Sequence, residues 1–386
     1  MSRANGQLPL QAAEIERTLR PLRSASGLPA AAFTDPAVLE WEIGSIFAGW
    51  VCLGHVSAVA EPGAYLAREF GAESIFAVGG EYGDVRAFYN VCRHRGSRLL
   101  EGAGKAGRLI RCPYHAWAYG FDGALLAAPH TEGLEDFDPA CNALRKVRTA
   151  LVGGLLLADP SGEAPDPAVH VGDLAERLER YRVSELRPAA ERLYEVGANW
   201  KAVVENYNEC LHCPGVHPEL NALSPYDSGE AFEGAGQWCG GSLDLIEGAE
   251  TMARNGGGER APIAGLSGAE LRSVLYVTLF PNALVSFHPD YVMLHTLWPL
   301  APDRTLVTCE WLFEPATIAA EGFDPSDAVD FWDQVNREDW HVCELTQKGV
   351  ASRGYSPGRY AIDEDDTHAF DRMVAERYMA ALAGPA

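Results

Sequence analysis

The distribution of apolar residues divides the chain into two parts of different character. Between Trp50 and about Leu157 the apolar runs are short and are separated by Gly and Asp, which is typical of antiparallel strands. Strands are predicted there at residues 64–70, 74–78, 86–91, 109–111 and 151–157. Residues 1–40 precede them as a leader with helical stretches such as residues 12–22.

The second part begins after a break rich in Pro, Gly and Asp at residues 159–166. Its patterns predict helices at residues 174–181, 200–212, 326–347 and 365–382. Ser326 is the expected N-cap of the third helix. Apolar runs predict strands at residues 273–287, 291–299 and 306–313.

These patterns together predict an α+β protein. A small antiparallel β domain is expected to precede a larger domain in which helices pack on an antiparallel sheet. The predicted units are a helical leader, a β domain and a helix-on-sheet domain at residues 1–40, 41–160 and 161–386.

Two pairs of metal-binding side chains lie in loops of the first part. Cys92 and His94 are followed, after seventeen intervening residues, by Cys112 and His115. Two thiolates and two imidazoles in the pattern C-x-H…C-x-x-H suit a Rieske [2Fe–2S] centre, in which Cys binds one iron and His the other. The pattern therefore predicts a protein that carries electrons.

The same four side chains could instead hold a structural zinc ion. Zinc fingers normally place both Cys on one side and both His on the other, whereas here each side carries one of each. The flanking residues also favour the cluster. Gly96 permits a tight turn in the first loop, and Asp122-Gly123 predicts a hairpin after the second.

A second group of metal-binding residues lies within residues 199–218. His212 and His217 flank Pro214-Gly215, which is expected to break the helix and turn His217 back toward His212. Glu209, three residues before His212, would share its helical face. Two His and one carboxylate form the facial triad of non-haem Fe(II) oxygenases, which leaves positions for O₂ and substrate.

The third ligand must be an Asp or a Glu. Glu209 is near in sequence, but Asp339 is the better candidate because it falls on the apolar stripe of the predicted helix at residues 326–347. A carboxylate that faces the core is costly unless it is paired or bound to metal. A buried ion pair with Arg is the alternative for Asp339. Asp330 and Asp333 lie off the stripe and are expected to be solvated.

The cysteines beside His212 allow other interpretations. Cys210 and Cys213 could form a redox C-x-x-C motif, although the βαβ context is absent. With His212 and His217 they could hold zinc. Two buried thiols that pack in the core are the preferred interpretation. The nine cysteines are an odd number without dense spacing, which favours reduced thiols and metal ligands over disulfides.

Composition restricts the class of partner. The formal net charge of −23 argues against nucleic acid and anionic membranes. No apolar run reaches the roughly eighteen residues that indicate a transmembrane helix. Residues 1–28 lack the apolar core of a secretory signal. A cytoplasmic protein is expected.

The chain resembles the catalytic α-subunits of Rieske non-haem iron oxygenases, the ring-hydroxylating dioxygenase superfamily, over nearly its whole length. The cluster ligands of that family match Cys92, His94, Cys112 and His115. Its iron ligands match His212, His217 and Asp339. The resemblance implies a monooxygenase or dioxygenase that holds a [2Fe–2S] cluster and a mononuclear Fe(II).

One position is similar to a particular branch of this family. Aromatic-ring dioxygenases usually carry Asp three residues before the first iron His, where this chain has Glu209. Glu there, together with residues 280–299, resembles the enzymes that oxidise choline, glycine betaine, carnitine and stachydrine. The resemblance implies a homotrimer in which Glu209 bridges a Rieske His of one subunit and an iron His of the next. Asn206, in the same segment, is a further candidate catalytic residue.

The resemblance also implies the electron route. Electrons would pass from NAD(P)H through a separate flavin reductase to the cluster and then to the iron, where O₂ reacts beside the substrate. This chain has no nicotinamide-binding fingerprint of its own. Hydroxylation of an N-methyl group would give a carbinolamine that loses formaldehyde.

Aromatic faces bind quaternary ammonium groups best. The candidates in the predicted strands are Tyr276, Phe280, Phe287, Tyr291 and Trp298. Aromatic residues in strands also commonly fill the core, so both interpretations stay open. Two alternative functions are a Rieske oxygenase for aromatic or other apolar substrates and a Rieske electron carrier without oxygenase chemistry. The predicted iron triad argues against the carrier.

Overall fold

The computed structural model describes residues 8–257 and 260–384 and confirms the α+β class, with three antiparallel sheets and surrounding helices. Residues 1–7 of the predicted leader lie outside the described residues. The larger sheets lie within residues 51–159 and 187–313. The exact domain boundaries stay predictions. None of the helices in the described ranges is long and apolar enough to cross a membrane.

The leader contributes three short helices to the main core. Their bounds are Ala12–Thr18 (α1), Ala30–Thr34 (α2) and Pro36–Ser45 (α3). Asp35 caps α3, because its Oδ1 accepts a hydrogen bond from the Ala37 N–H at 2.8 Å. Ile15 and Phe33 are buried in the same hydrophobic cluster as residues of the second large sheet. The leader is therefore packed as part of the fold.

The first domain is a seven-stranded sheet that carries a small three-stranded one. In chain order the strands are Val51–His55 (β1), Ala64–Phe70 (β2), Glu73–Gly79 (β3), Val85–Tyr89 (β4), Ala103–Lys105 (β5), Ile110–Arg111 (β6), Ala118–Tyr119 (β7), Leu125–Ala127 (β8), Lys146–Val152 (β9) and Leu155–Asp159 (β10). The large sheet has the order β1-β10-β9-β4-β3-β2-β5, and the small sheet has the order β6-β7-β8.

The single strand predicted at residues 151–157 is wrong. β9 and β10 pair antiparallel across a turn at Gly153 and Gly154, which have φ values of 54° and 96°. These positive φ values suit Gly, so the chain reverses inside an apolar run. The hairpin predicted at Asp122-Gly123 is confirmed, since it joins β7 to β8 and Gly123 has φ 86°.

The second domain is built on a seven-stranded sheet. Two short helices lead into it, Pro167–Val171 (α4) and Leu174–Arg180 (α5). Its strands are Arg187–Val196 (β11), Glu230–Glu233 (β12), Trp238–Asp244 (β13), Ser273–Leu279 (β14), Ala283–Phe287 (β15), Val292–Ala301 (β16) and Arg304–Phe313 (β17). Their order in the sheet is β11-β17-β16-β15-β14-β13-β12. The predicted strand at residues 273–287 is wrong as a single element, because β14 and β15 form a hairpin across residues 280–282.

Helices cover this sheet and supply the site described below. They are Trp200–Tyr207 (α6), Cys213–Val216 (α7), Pro218–Leu223 (α8), Pro315–Ile318 (α9), Ser326–Val350 (α10) and Asp365–Ala383 (α11). Ser326 is the first residue of α10 and not its N-cap. The side chain of Asp324 serves the helix start, because its Oδ1 accepts a hydrogen bond from the Ser326 N–H at 2.9 Å.

A buried ion pair joins the leader to α6. Lys201 Nζ lies 2.6 Å from Glu42 Oε1, and both side chains are fully buried. Trp200 Nε1 donates to Glu42 Oε2 at 2.9 Å, and the Tyr378 hydroxyl also donates to this carboxylate. Burial lowers the pKa of Lys201, although Glu42 opposes that shift. The pair fixes the start of the segment that leads to His212.

The two domains are also joined by a reciprocal hydrogen-bond pair. The backbone N–H of Cys52 in β1 donates to Asn282 Oδ1 at 2.9 Å, and Asn282 Nδ2 donates to the Cys52 carbonyl at 3.0 Å. Both residues are buried, and the two hydrogen bonds give their polar groups the partners that buried groups require.

Candidate functional site

Three side chains of the second domain converge on one point. His217 Nε2 lies 2.8 Å from Asp339 Oδ1, and His212 Nε2 lies 3.2 Å from the same oxygen. One potential ligand atom from each residue lies within 4.8 Å of the other two. Asn206 Nδ2 lies 3.5 Å from His212 Nε2. Two imidazole nitrogens and one carboxylate oxygen that face a common point match the facial-triad donor set.

A turn, and not a continuous helix, brings these residues together. α6 ends at Tyr207, where the Asn208 N–H closes the last turn on the carbonyls of Val204 and Glu205. The predicted helix at residues 200–212 is therefore wrong in its second half, and Glu209 does not share a helical face with His212.

The predicted role of Pro214 is also wrong. Pro214 lies in the first turn of α7, where its missing N–H has no cost, and it does not end a helix. His217 follows at the junction between α7 and α8, with φ −123° and ψ 64°. The short helix α7 lies between His212 and His217 and thus sets the separation of their imidazoles.

A carboxylate holds the outer nitrogen of each imidazole. His212 Nδ1 lies 2.5 Å from Glu209 Oε1, and His217 Nδ1 lies 2.7 Å from Glu338 Oε2. A carboxylate on Nδ1 fixes the tautomer and leaves Nε2 as the ligand atom. Sequence reasoning missed Glu338, whose only signal is that it precedes Asp339 on α10.

Electrostatics of the triad favour a bound cation. Burial alone would lower the pKa of His212, but hydrogen bonds with Asp339 and Glu209 raise it to about 9. Burial would raise the pKa of Asp339, but hydrogen bonds with both imidazoles lower it below its ordinary value. Each shift reflects a positive charge beside a carboxylate. A divalent metal ion would replace those protons with its own charge.

The structure settles the alternatives for the neighbouring acidic residues. The partners of Asp339 within hydrogen-bond distance are the two histidines, so the predicted alternative of an ion pair with Arg is wrong. Asp330 is exposed, as expected. Asp333 is only partly exposed, because its Oδ1 accepts a hydrogen bond from the Tyr194 hydroxyl at 2.8 Å.

Cys210 and Cys213 are joined by a disulfide, with their Cα atoms 5.0 Å apart. The prediction of two free buried thiols is therefore wrong. The turn after α6 brings two cysteines that are three residues apart to the spacing that a disulfide requires. Their sulfur atoms are paired with each other, so zinc ligation by these thiols is not supported.

The four residues of the first motif lie at two neighbouring loop tips. Cys92 and Cys112 are buried free cysteines, whereas His94 and His115 are exposed. The two imidazole rings lie 4.8 Å apart between centroids. Buried thiols behind surface imidazoles fit a Rieske cluster whose histidine-bound iron faces outward.

Backbone hydrogen bonds close both loops. The Cys92 N–H donates to the Ser97 carbonyl at 2.8 Å, and the Cys112 N–H donates to the Trp117 carbonyl at 2.8 Å. Gly96 has φ 74°, which explains why Gly stands in the first loop.

Tyr119 is a buried residue of the cluster region that sequence reasoning missed. Its hydroxyl lies 3.3 Å from Cys92 Sγ and accepts a hydrogen bond from the Arg93 N–H at 3.0 Å. Hydrogen bonds to a ligand sulfur are one of the terms that set a cluster's reduction potential.

A cavity of about 350 Å³ opens onto the triad between α6, α10 and the strands β13 and β14. Tyr276 is the one predicted aromatic contact in its wall. The other four are buried core residues that do not line it, Phe280, Phe287, Tyr291 and Trp298. Period-two alternation cannot show which strand face meets a cavity, so the sequence did not separate Tyr276 from these four. Aromatic rings that were not predicted also line it: Tyr207, Tyr226 and Trp332.

The polar wall of the cavity is acidic. Beyond the triad it includes Glu209, Asp227, Glu230, Asp363, Asp365 and Asp366. No Lys or Arg from the described part of the chain lines the cavity. Its wall thus offers aromatic faces and negative charge.

Both the part of the chain that holds the triad and the part that holds the Cys and His loop tips match known protein families. The family of the ring hydroxylating alpha subunit (catalytic domain) matches residues 183–380, and the Rieske [2Fe-2S] domain matches residues 49–138. The glycine betaine monooxygenase oxygenase subunit of Chromohalobacter salexigens is 33% identical, with 92% of this chain and 86% of that protein covered. The carnitine monooxygenase oxygenase subunit of Escherichia coli K12 is 31% identical, with 90% and 91% covered. The crystal structure of the quaternary ammonium Rieske monooxygenase CntA in complex with L-carnitine superposes with a TM-score of 0.80 at 27% identity, covering 96% of this chain and 99% of that one.

Proposed function

Because the chain belongs to the ring-hydroxylating α-subunit family of Rieske non-haem iron oxygenases, we propose that it hydroxylates an N-methyl group of a small quaternary or tertiary methylammonium compound. The substrate would be a betaine, carnitine or choline-like molecule, and the product would lose formaldehyde. The observation that carries the proposal is the His212, His217 and Asp339 triad in a cavity with aromatic and acidic walls.

The metal-binding roles form the first part of the proposal. His212, His217 and Asp339 would hold the mononuclear iron, and the cluster ligands would be Cys92, His94, Cys112 and His115. When bound, the iron would supply O₂ activation and the cluster would supply the electrons for it. Glu209 and Glu338 keep the two imidazoles in the orientation that ligation needs.

The cavity wall would bind and orient the cationic end of the substrate. Tyr276 and Trp332 lie 6.3 Å apart between centroids with their planes at 65°, so they present two differently oriented faces. A methylammonium group is attracted to such faces. The volume of about 350 Å³ suits a small molecule.

The reaction balances with two electrons from outside the chain. One atom of O₂ enters a methyl C–H bond, and the other leaves as water with two electrons and two protons. The C–N bond of the resulting carbinolamine then breaks, giving the demethylated amine and formaldehyde, with release of a proton when the substrate is quaternary. Asn206, 3.5 Å from His212 Nε2, lies close enough to orient a group beside the triad.

The partners follow from the need for those electrons. We propose a separate reductase that takes electrons from NAD(P)H through flavin, and a homotrimer in the cytoplasm. The exposed His94 and His115 support docking of either partner at the cluster. Glu209 is partly exposed beside His212, so it could reach a cluster histidine of a neighbouring subunit.

Oxidation of an aromatic or other apolar substrate is less well supported. An apolar molecule would cover the acidic side chains of the wall without offering them a charge or a hydrogen bond.

The test is anaerobic reconstitution with iron and a reductase, followed by assay of O₂ consumption and formaldehyde with betaines, carnitine, choline and simple aromatic compounds. We expect formaldehyde in proportion to the O₂ consumed with one methylammonium compound. Turnover of an aromatic compound alone, without formaldehyde, would overturn the proposal.

A further inference from the structure

We propose, on the basis of the proposed function, that the preferred substrate is a methylammonium compound whose tail is neutral or cationic, and not a zwitterion that carries a carboxylate. Choline represents the first class and glycine betaine the second. The charges along the cavity that opens onto the triad distinguish between these two classes.

The direction of the bound substrate follows from exposure. His217 is 2% exposed, and the side chains of His212 and Asp339 are each 17% exposed. Four acids of the same cavity wall are more exposed, namely Asp227, Glu230, Asp363 and Asp365. The triad therefore lies at the inner end and these acids at the mouth. A methyl group that reacts must point inward, so the remainder of the substrate points toward the mouth.

A carboxylate tail would meet like charge there. Asp227 and Glu230 approach from β12 and the loop before it, and Asp363 and Asp365 from the segment that begins α11. The lining holds no Lys or Arg within the described ranges, so a substrate carboxylate would have no cationic partner. Juxtaposed like charges discriminate strongly against a ligand.

Asp366 adds a further carboxyl group to the cavity wall. It is partly buried in the wall beside Gly240 and Gly241 of β13. Burial, and then the neighbouring Asp365, raise the pKa of Asp366 to about 7. A cationic ligand beside Asp366 would favour its ionised form, whereas an anionic tail would disfavour it.

Two polar groups of residues in the cavity wall lack hydrogen-bond partners. The Tyr276 hydroxyl and Asn208 Nδ2 are buried without a hydrogen-bond partner among the described residues, and both residues line the cavity. Asn208 Oδ1 is already used, because it accepts a hydrogen bond from the Thr278 hydroxyl at 2.6 Å. Both groups could donate a hydrogen bond, but neither carries a charge that would offset the acids for a carboxylate tail.

The experiment compares three ligands of nearly equal shape. Choline is a cation, glycine betaine a zwitterion, and 3,3-dimethyl-1-butanol the neutral isostere of choline. Binding to the purified protein is measured by calorimetry, which needs no turnover. We expect choline to bind at least about tenfold more tightly than glycine betaine or the neutral isostere, with a preference that weakens as salt is added.

Variants test the source of that preference. Asp366→Asn should reduce the preference for choline several-fold, and so should Asp363→Asn, which lies outside the helix and keeps the proposal testable if the first variant folds poorly. Glu321→Gln, an exposed acid before α10, is the matched control and should leave the preference unchanged. An equal effect of all three variants would overturn the role of the cavity acids.

The outcomes separate this inference from the proposed function. Glycine betaine that binds as tightly as choline and yields formaldehyde would overturn the inference and leave the function intact. If neither choline nor glycine betaine binds or yields formaldehyde, the inference is overturned, and the proposed function is then decided by the wider screen with carnitine and aromatic compounds.

Discussion

Replacement of Glu338 tests the iron site without touching a proposed ligand. Its Oε2 lies 2.7 Å from His217 Nδ1, and its Oε1 accepts a hydrogen bond from Gln334 Nε2 at 3.0 Å. The carboxylate therefore holds the ring so that Nε2 faces Asp339. In Glu338→Ala the imidazole of His217 remains, but it loses the carboxylate that orients it and increases its basicity.

The expected size of the effect follows from the contact. Loss of a carboxylate partner of a metal-bound His typically lowers metal affinity 10- to 100-fold, which corresponds to about 1.4–2.7 kcal/mol. The Glu338 side chain is 32% exposed, so solvent screens part of its charge and the lower half of this range is expected. Glu338→Gln can still accept from Nδ1–H without the negative charge, and it should lose less affinity than Glu338→Ala.

The assay is anaerobic competition for ferrous iron against a chelator of known affinity. The Rieske absorption of the same sample reports whether the first domain remains intact. Asp330→Asn, on an exposed face of the same helix, is the matched control. Ferrous affinity of Glu338→Ala equal to that of the unmodified protein would refute the orienting role.

Further predictions concern the triad and the core behind it. Asp339→Ala should lose the mononuclear iron and turnover while keeping the Rieske absorption, and retained turnover would discard Asp339 as a ligand. Glu209→Gln should keep both metals but slow oxidation of the reduced cluster in single-turnover mixing, whereas normal coupled turnover would remove the bridging role. Despite its burial, hydrogen bonds to carboxylates raise the pKa of His212 to about 9. Ferrous iron must displace that proton, so affinity measured by titration should rise up to about tenfold per pH unit until about pH 9, and a flat profile would contradict this. Lys201→Met leaves the Glu42 carboxylate buried without its cation, and denaturant unfolding should show a loss of about 3–5 kcal/mol. Adding Glu42→Gln should restore part of that loss, and a double variant no more stable than Lys201→Met would contradict the explanation.

Several errors in the predicted elements share one cause, which is that an apolar run does not reveal where it reverses. Residues 151–157 and 273–287 each read as one strand, but each contains a tight turn between two paired strands. The chain reverses at Gly153-Gly154 and at residues 280–282, and apolar residues continue on both sides of each turn. Similarly, residues 200–212 keep a helical pattern after α6 has ended at Tyr207.

The cysteine pairing and the placement of the aromatic residues could not be predicted for a different reason. Composition favoured free thiols at Cys210 and Cys213, but the turn after α6 brings the two together as a disulfide. Among the predicted aromatic residues, Tyr276 lies in the cavity wall, whereas Trp298 is fully buried in the core, although both are aromatic residues of predicted strands. Burial in a packed sheet is a property of the whole fold and not of a residue type.

The sequence alone determined the chemistry of the two metal sites and the order of the domains. The proposed ligands, such as Cys92 with His94 or His212 with His217, are close along the chain, so short loops and their turn residues already carry the pattern. Only the tertiary structure decided how distant segments complete the site. Glu338 reaches His217 across 121 positions, and the acids of the β12 region and the start of α11 meet at one cavity mouth. Such contacts depend on how helices pack on the sheet, and no local spacing in the chain encodes them.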